Sequence, residues 1–401
     1  MVGQVKKVTQ LRVTASNTQL GVLTHSTSHV FKLTHRHRHA SLIMAKHGVK
    51  EYQSGAMHSV FAQNLPEGAN RSFIVEKLAK YVKVNDMYLL ALQGQNGIGM
   101  LCYDSDLTLP EMNVCQLNDI IFPTTGQGIF ANLKDRYALN YTMAGMQPKV
   151  GIFVHTEFGP KWSIVKSFDE EFPLLTVNEF VCMEAARYCG LAPPKAYLST
   201  SLETFVVERF DFDKKGNKLG YEDFSTLLNK SNTSDSKYMS SYETLLKAVY
   251  RYTEDLAEVE KMYRYIVFNC LIGNGDAHLK NFALLYGADM TNVHVSPPFD
   301  ITHTLIYDTI NNKMALKMAN SKVFPGRADL VKLAEAVPFS ISDSEVVIEK
   351  IADLIADYMK KSNEITLFKG LRKSIEIHLS RSMVNTYSTK NYRQDRKLKF
   401  E

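Results

Sequence analysis

The sequence predicts an α+β protein of two lobes: a β-rich N-terminal lobe with an extra small subdomain, and an all-helical C-terminal lobe. Three observations predict it. Short apolar–polar alternations fill residues 9–33 and recur from about 136 to 212, helical periodicity dominates after about 240, and the character changes near Asp213. The expected portions are therefore 1–105, a small N-terminal subdomain, 106–212, the remainder of the N-terminal lobe, and 213–401, the helical lobe, with a cleft between the lobes. A chain of 401 residues has room for two or three domains.

In the first portion, Leu11 and Val13, then Leu20, Val22 and Leu23, then Val30, Phe31 and Leu33 mark three short strands. Phe73, Ile74, Leu78 and Tyr81 give a helix over about 72–82. Met87–Leu92 reads as extended, and Gly94-Gln95-Asn96-Gly97 before Gly99–Tyr103 reads as a hairpin turn. In the second portion, Val150–Val154 and Trp162–Val165 pair around Glu157-Phe158-Gly159-Pro160. A helix from Asn178 to Cys189 follows, with Asn178 as N-cap, Gly190 at the C′ position and Pro193-Pro194 as the stop. Thr204–Phe210 adds one more strand. Beyond a polar loop, 229–241, the positions Val259, Met262, Tyr263, Ile266, Val267 and Cys270 form one helical face, and 343–362 and 364–384 form two more helices.

Composition excludes more than it assigns. Hydrophobic residues at 45% and charged residues at 22% describe a globular chain, and a net charge of +5 is too small to argue for nucleic acid by itself. The five cysteines, at 102, 115, 182, 189 and 270, form no CxxC pair and fit free thiols in a reducing compartment. No apolar run reaches eighteen residues and the first thirty lack a continuous apolar core, so neither a membrane span nor a secretory signal is expected, and the localisation predicted is cytoplasmic.

Chemistry concentrates in Ile272–Asn281. Asp276 and Asn281 stand five positions apart with His278 and Lys280 between them, a short strand Phe282–Tyr286 follows, and then Pro298-Phe299-Asp300-Ile301. Phosphoryl transfer needs a carboxylate to receive the substrate hydroxyl, an Asn–Asp pair to hold Mg²⁺ and a cation against the phosphates. Asp276 to Asn281 has the Asp-x-x-x-x-Asn spacing of a kinase catalytic loop, Asp300 is placed as second metal ligand, and Lys280 can neutralise the migrating phosphoryl group. Upstream, Lys166 ends a strand and Glu179 sits on the next helix. Singly, each is an ordinary turn residue or a solvated charge; their order along the chain is what is specific. His35-Arg36-His37-Arg38-His39 reads as a solvated basic loop before a metal site, and Tyr238, Tyr242, Tyr250 and Tyr252 as packing residues.

These residues also carry a family resemblance. Leu65-Pro66-Glu67-Gly68, Gly94-Gln95-Asn96-Gly97-Ile98-Gly99, Ala144-Gly145-Met146-Gln147-Pro148-Lys149, Asn178-Glu179-Phe180, Cys189–Pro194, Val207-Glu208-Arg209-Phe210-Asp211, Ile272–Asn281 and Phe299-Asp300-Ile301 resemble, in order, the HipA family of bacterial toxin kinases. The resemblance implies a two-lobed protein-kinase-like fold and an ATP- and Mg²⁺-dependent serine/threonine protein kinase. It implies Asp276 as catalytic base with His278 and Lys280 completing the loop, Asn281 and Asp300 as metal ligands, and Lys149 and Lys166 at the nucleotide. The backbone of Glu208 and Phe210 would meet the adenine. Family members autophosphorylate a serine just before the Ala-Gly-x-Gln-x-Lys loop; here that regulatory position is Thr142. The implied partners are a protein substrate, for which an aminoacyl-tRNA synthetase is the model, and a helix-turn-helix antitoxin of the HipB type that brings DNA indirectly. Two other function classes compete: a non-catalytic co-repressor on an antitoxin–DNA complex, and a small-molecule or lipid kinase of the same fold.

Overall fold

Alternating side chains become strands where one face can be buried. In the computed structural model, which describes residues 7–35, 38–107, 114–124, 128–139, 145–231, 233, 235–336 and 341–385, the first three alternations form β1 (Gln10–Ala15), β2 (Thr18–His25) and β3 (His29–Leu33). Leu11, Val13, Leu20, Leu23 and Phe31 point to the buried side. The chain divides into two compact units. One comprises Met1–Asp169, Tyr197–Ser236 and Ala283–His294, the other Glu170–Ala196, Lys237–Phe282 and Val295–Glu401. Thr142, His37 and the basic tail from Lys390 lie outside the described residues.

In the first unit an antiparallel sheet has the order β4-β3-β2-β1-β5, with β4 Glu51–Ser54 and β5 Cys102–Asp104. Around it stand α1 (Leu42–His47), α2 (Ser59–Ala62), α3 (Gly68–Leu78) and α4 (Asp86–Gln93). The last of these corrects the expected strand at Met87–Leu92. An unbroken apolar run carries no period, and here burial on every side from Met87 to Gln93 accepts a helix. Asn85 decides the matter locally, its side chain accepting from the Tyr88 N–H at 2.9 Å as N-cap. Gly94–Gly97 therefore leads from a helix into β5 and is not a hairpin turn, with the Tyr103 N–H bonded to the Gly94 carbonyl at 3.0 Å.

A second sheet in the same unit has the order β6-β7-β8-β10-β9. Its centre is the predicted hairpin of β7 (Lys149–Thr156) and β8 (Gly159–Lys166), in register from Lys149↔Lys166 to Thr156↔Gly159. β10 (Phe205–Glu208) pairs with β8, setting Phe205 opposite Lys166 and Glu208 opposite Ser163; β6 (Cys115–Gln116) and β9 (Ala196–Leu198) are the edges. Leu117 and Ile120 of α5 (Leu117–Ile121) and Phe130, Leu133 and Tyr137 of α6 (Ile129–Tyr137) cover Val150, Ile152, Val154, Val165 and Val206. The part expected to be helical also carries a ladder, β11 (Gly220–Asp223) with β12 (Ala283–Tyr286), next to β13 (His294–Val295) and the short α8 (Phe224–Leu227).

The second unit is helical: α7 (Leu175–Tyr188), α9 (Tyr242–Thr253), α10 (Leu256–Ile272), α11 (Arg327–Glu335), α12 (Ser344–Lys361) and α13 (Leu371–Ser382). α7 begins three residues earlier than expected, so Asn178 is no N-cap. It is fully buried inside the helix and grips a neighbouring segment, accepting from the His303 N–H at 2.8 Å and donating to the His303 carbonyl at 3.0 Å. A buried amide finds partners by tertiary contact, a signal that local capping rules do not contain. α10 ends where Gly273 adopts φ +80°. A Cβ there would also stand 2.7 Å from His303 Nδ1, so glycine is required twice over.

Candidate functional site

The loop after α10 leaves the helix under strong constraint. His303 Nδ1 lies 2.7 Å from the Ile272 carbonyl and its Nε2 2.7 Å from Ser374 Oγ, while His378 Nε2 lies 2.8 Å from the Cys270 carbonyl. These buried histidines take up the carbonyls that a helix end leaves bare. Next, Asn269 Oδ1 accepts from Asn274 Nδ2 at 2.7 Å, Asn274 Oδ1 accepts from the Asp276 N–H at 3.1 Å, and Thr304 Oγ1 accepts from the Gly275 N–H at 2.8 Å. The loop up to Asp276 is thus fixed by side chains, those of Asn269, Thr304, His303 and His378 from outside it and that of Asn274 within it.

Asp276 is exposed, yet protein atoms replace much of the water around its carboxyl. That desolvation is the main cause raising its pKa to about 6, Asp300 adds to it, and Lys237 and a hydrogen bond from the Tyr238 hydroxyl at 3.3 Å oppose it. The group is ionised at neutral pH and basic enough to take a proton. His278 behaves oppositely: burial, reinforced by Lys237, pushes its imidazole down to about 3, so the ring is neutral. Its Nδ1 is buried with no hydrogen-bond partner among the described residues, and its ring meets that of Tyr238 edge-on at 5.4 Å.

Asn281 is buried and donates through Nδ2 to Asp300 Oδ2 at 2.9 Å, while its Oδ1 has no partner among the described residues. Asp300 adopts φ +58°, a left-handed backbone that costs a non-glycine residue about 1–3 kcal/mol. The Tyr265 hydroxyl bridges the backbone of Asn281 and of Phe299, the residue before Asp300, lying 3.2 Å from the Asn281 carbonyl and 2.9 Å from the Phe299 carbonyl. An orphaned amide oxygen beside a carboxylate is a hard-oxygen donor pair that fits Mg²⁺, which keeps several positions for water and phosphate. Among the described residues no group of three or more His, Cys, Asp or Glu gathers that could hold a metal ion; of the 35–39 histidines only His35 and His39 are among them.

In the other unit, Lys166 is the buried last residue of β8 and Lys149 the first of β7. The segment before Lys149 is clamped by Asn70, which donates to the Gln147 carbonyl at 3.2 Å and accepts from the Lys149 N–H at 3.3 Å. Gly145, at φ +102°, lets the Lys149 ammonium lie where a Cβ would be. Glu208 ends β10 with its carboxylate accepting from the Tyr197 hydroxyl at 2.9 Å, and Phe210 follows it. Glu179 is buried in α7. So Asp276, His278, Asn281 and Asp300 come together around one loop, and Lys149, Lys166 and Glu208 along one sheet.

Sequence reasoning missed four contributors. Tyr238, read as a packing residue, instead touches Asp276 and His278, whereas Tyr242 is packed as expected. Lys237, Tyr265 and Asn70 were not singled out. Only Asn70, two residues after Leu65-Pro66-Glu67-Gly68, had a nearby signal.

A β-sheet unit followed by a helical unit bearing an Asp-x-x-x-x-Asn loop is the protein-kinase-like class of fold. The structure of the Shewanella oneidensis HipA, from its toxin–antitoxin complex with HipB and operator DNA, matches over 92% of this chain and 97% of that one, with TM-score 0.64 and 16% identity. Residues 11–104 match the HipA N-terminal domain and residues 141–362 the HipA-like C-terminal domain, and the chain belongs to this HipA-like family. A candidate kinase of Haemophilus influenzae is 27% identical over 51% of this chain and 64% of its own length. Candidate kinase Y4dM of Sinorhizobium fredii is 28% identical over 46% and 50%. The chain spans about half to two-thirds of the length of these curated relatives. No helix among the described residues is long and apolar enough to cross a membrane.

Proposed function

We propose that the chain is an ATP- and Mg²⁺-dependent serine/threonine protein kinase. The observation that carries this reading is the loop of Asp276, Asn281 and Asp300, in which a carboxylate stays basic near a buried amide whose oxygen lacks a partner among the described residues and whose nitrogen bonds the half-buried Asp300. In this reading Asp276 receives the proton of the substrate hydroxyl as its oxygen bonds to the γ-phosphorus and ADP leaves. Asn281 and Asp300 hold Mg²⁺, which when bound neutralises phosphate charge. Tyr265 ties the backbone of Asn281 to that of Phe299, next to Asp300. Neutral His278 orients the loop and is too weakly basic to compete with Asp276 for the proton. Lys280, Lys149 and Lys166 meet the phosphates, and the backbone at Glu208 and Phe210 meets the adenine.

We infer further that a HipB-type antitoxin is the partner and that it links the chain to DNA. The fold match to a HipA solved with HipB and operator DNA supports this. An aminoacyl-tRNA synthetase remains the proposed protein substrate, and Thr142 the proposed site of autophosphorylation. Purified chain, Mg²⁺ and γ-labelled ATP, added to a dephosphorylated lysate, should label a protein hydroxyl. Mass spectrometry of the same reaction should find phosphate on Thr142. If neither the lysate nor the chain takes label and the chain binds no Mg·ATP, the kinase reading fails.

A further inference from the structure

Beside Asp276 the chain builds a hairpin whose lysines the phosphoryl-transfer chemistry does not use. Met318 and Ser321 exchange backbone hydrogen bonds at 2.8 and 2.9 Å, and the Met314 N–H donates to the Lys322 carbonyl at 2.7 Å. Ala319 and Asn320 between them both adopt left-handed φ, +48° and +65°, as a two-residue hairpin turn demands. The hairpin is anchored rather than loose. The Lys317 N–H donates to the Ser240 carbonyl at 3.1 Å, the Tyr242 N–H to the Lys317 carbonyl at 3.0 Å, and the Ala319 N–H to Glu243 at 2.7 Å. Its entry lies against the catalytic loop, for the Lys313 carbonyl would stand 2.8 Å from a Cβ at Gly275.

Three lysines of this hairpin lie close enough for their charges to interact. Lys313 and Lys317 are exposed and Lys322 half-buried. Lys322 Nζ lies 5.8 Å over the ring of Tyr238, and Lys237 Nζ 5.1 Å over the same ring, whose hydroxyl bonds Asp276. Burial, with the charges of Lys317 and Lys313, holds Lys322 below the usual lysine range, so these cations repel one another. Among the described residues no carboxylate forms an ion pair with Lys313, Lys317 or Lys322. Like charges are held together at a cost that a bound anion would relieve.

We propose that Lys313, Lys317 and Lys322, with Lys237 beside them, form a docking surface for an acidic segment of the protein substrate, flanking the hydroxyl delivered to Asp276. The substrate role rests on the kinase reading above, the binding role on the lysines alone. Nucleic acid fits less well. The patch offers no stacking platform, since Tyr238 has lysines over its ring and His278 at its edge, and the chain's net charge of +5 is small.

The test uses the full chain and three fluorescent peptides that share one serine and differ only in flanking Glu, Gln or Lys. Their binding is followed by anisotropy at physiological ionic strength, with phosphate transfer from labelled ATP measured in parallel. The Glu-flanked peptide should bind at least about tenfold more tightly than the Gln-flanked one, and the Lys-flanked one most weakly. The triple Lys313→Glu, Lys317→Glu, Lys322→Glu variant should reverse that order, while the triple Lys→Arg variant at the same positions keeps it. Equal binding of the three peptides, or an order unchanged by the Glu variant, overturns the proposal. So does displacement of the Glu peptide by a lower concentration of an RNA oligonucleotide of equal charge. If the peptide order holds but no peptide accepts phosphate, the kinase reading fails while the acidic-segment surface stands.

Discussion

Two polar clusters of the chain, one in each compact unit, are each built around an aspartate and reach opposite electrostatic outcomes. In the β-rich unit, Arg209 and Asp211 are 2% exposed and paired at 2.6 Å, and Arg209 also donates to the carbonyls of Asn96 at 2.8 Å and Gly97 at 2.7 Å. Asp211 accepts from the Gly99 N–H at 2.8 Å, and Lys218 donates to Gln95 and Gly97. Burial pushes Asp211 up, but Arg209 and these bonds outweigh it and hold its carboxyl below the usual range. In the helical unit, Asp276 is raised to about 6, and His278 Nδ1 and Asn281 Oδ1 lack partners among the described residues. Satisfied buried charge fixes a turn, whereas unsatisfied polar atoms beside a raised carboxylate make a candidate binding site. Both clusters belong to motifs equally visible in the sequence, and the partner count distinguishes these two where the motif alone does not.

Breaking the scaffold cluster should have the largest effect. Arg209→Ala leaves Asp211 buried without its cation and should lower the free energy of unfolding by about 3–5 kcal/mol in a denaturant titration. Asp300→Ala should act the other way round. Stability should fall by only about 1–3 kcal/mol, because alanine tolerates the left-handed backbone less well than aspartate and leaves Asn281 Nδ2 without its acceptor, while Mg²⁺-dependent ATP binding by calorimetry disappears and phosphate transfer falls at least about 10²-fold. Tyr238→Phe should be milder. Removing a hydrogen bond that lowers the pKa of Asp276 moves the acid limb of the rate–pH profile to higher pH, with less than about tenfold loss at the optimum.

The smallest effect sharpens the comparison by sign. Asp276 has a folded pKa above its unfolded value, so the folded state binds the extra proton and gains stability as pH falls through about 6. Asp211 has a folded pKa below its unfolded value, so its contribution is present above the usual carboxylate range and lost as pH falls through it. Relative to wild type, Asp276→Asn should therefore melt higher at pH 8, with an advantage that shrinks below about pH 6 and is gone only below the usual aspartate value. For Asp211→Asn the difference should shrink only in more acidic solution.

Much of this was legible in the residues. The β7–β8 hairpin, the face of α10 and the Gly190 and Gly273 stops follow from periodicity and from backbone needs that only glycine meets. The loop Ile272–Asn281 was legible because its chemistry lies within ten residues. What escaped had non-local causes. Met87–Leu92 gives no period, so the Asn85 cap and tertiary burial chose helix over strand. Asn178 was assigned to a cap because its true partner, His303, lies 125 residues away. Tyr238 reaches Asp276 across 38 positions through a polar loop that offers no pattern.

The most direct measurement compares wild type with Asp276→Asn, an isosteric change that keeps the Asn274, Tyr238 and Ala277 surroundings, in a single-turnover reaction with labelled ATP and Mg²⁺. If Asp276 is the base, Mg·ATP binding should be retained and phosphate transfer should drop by about 10²–10⁴-fold. Transfer by the variant at the wild-type rate would contradict the assignment of this loop as the reaction centre.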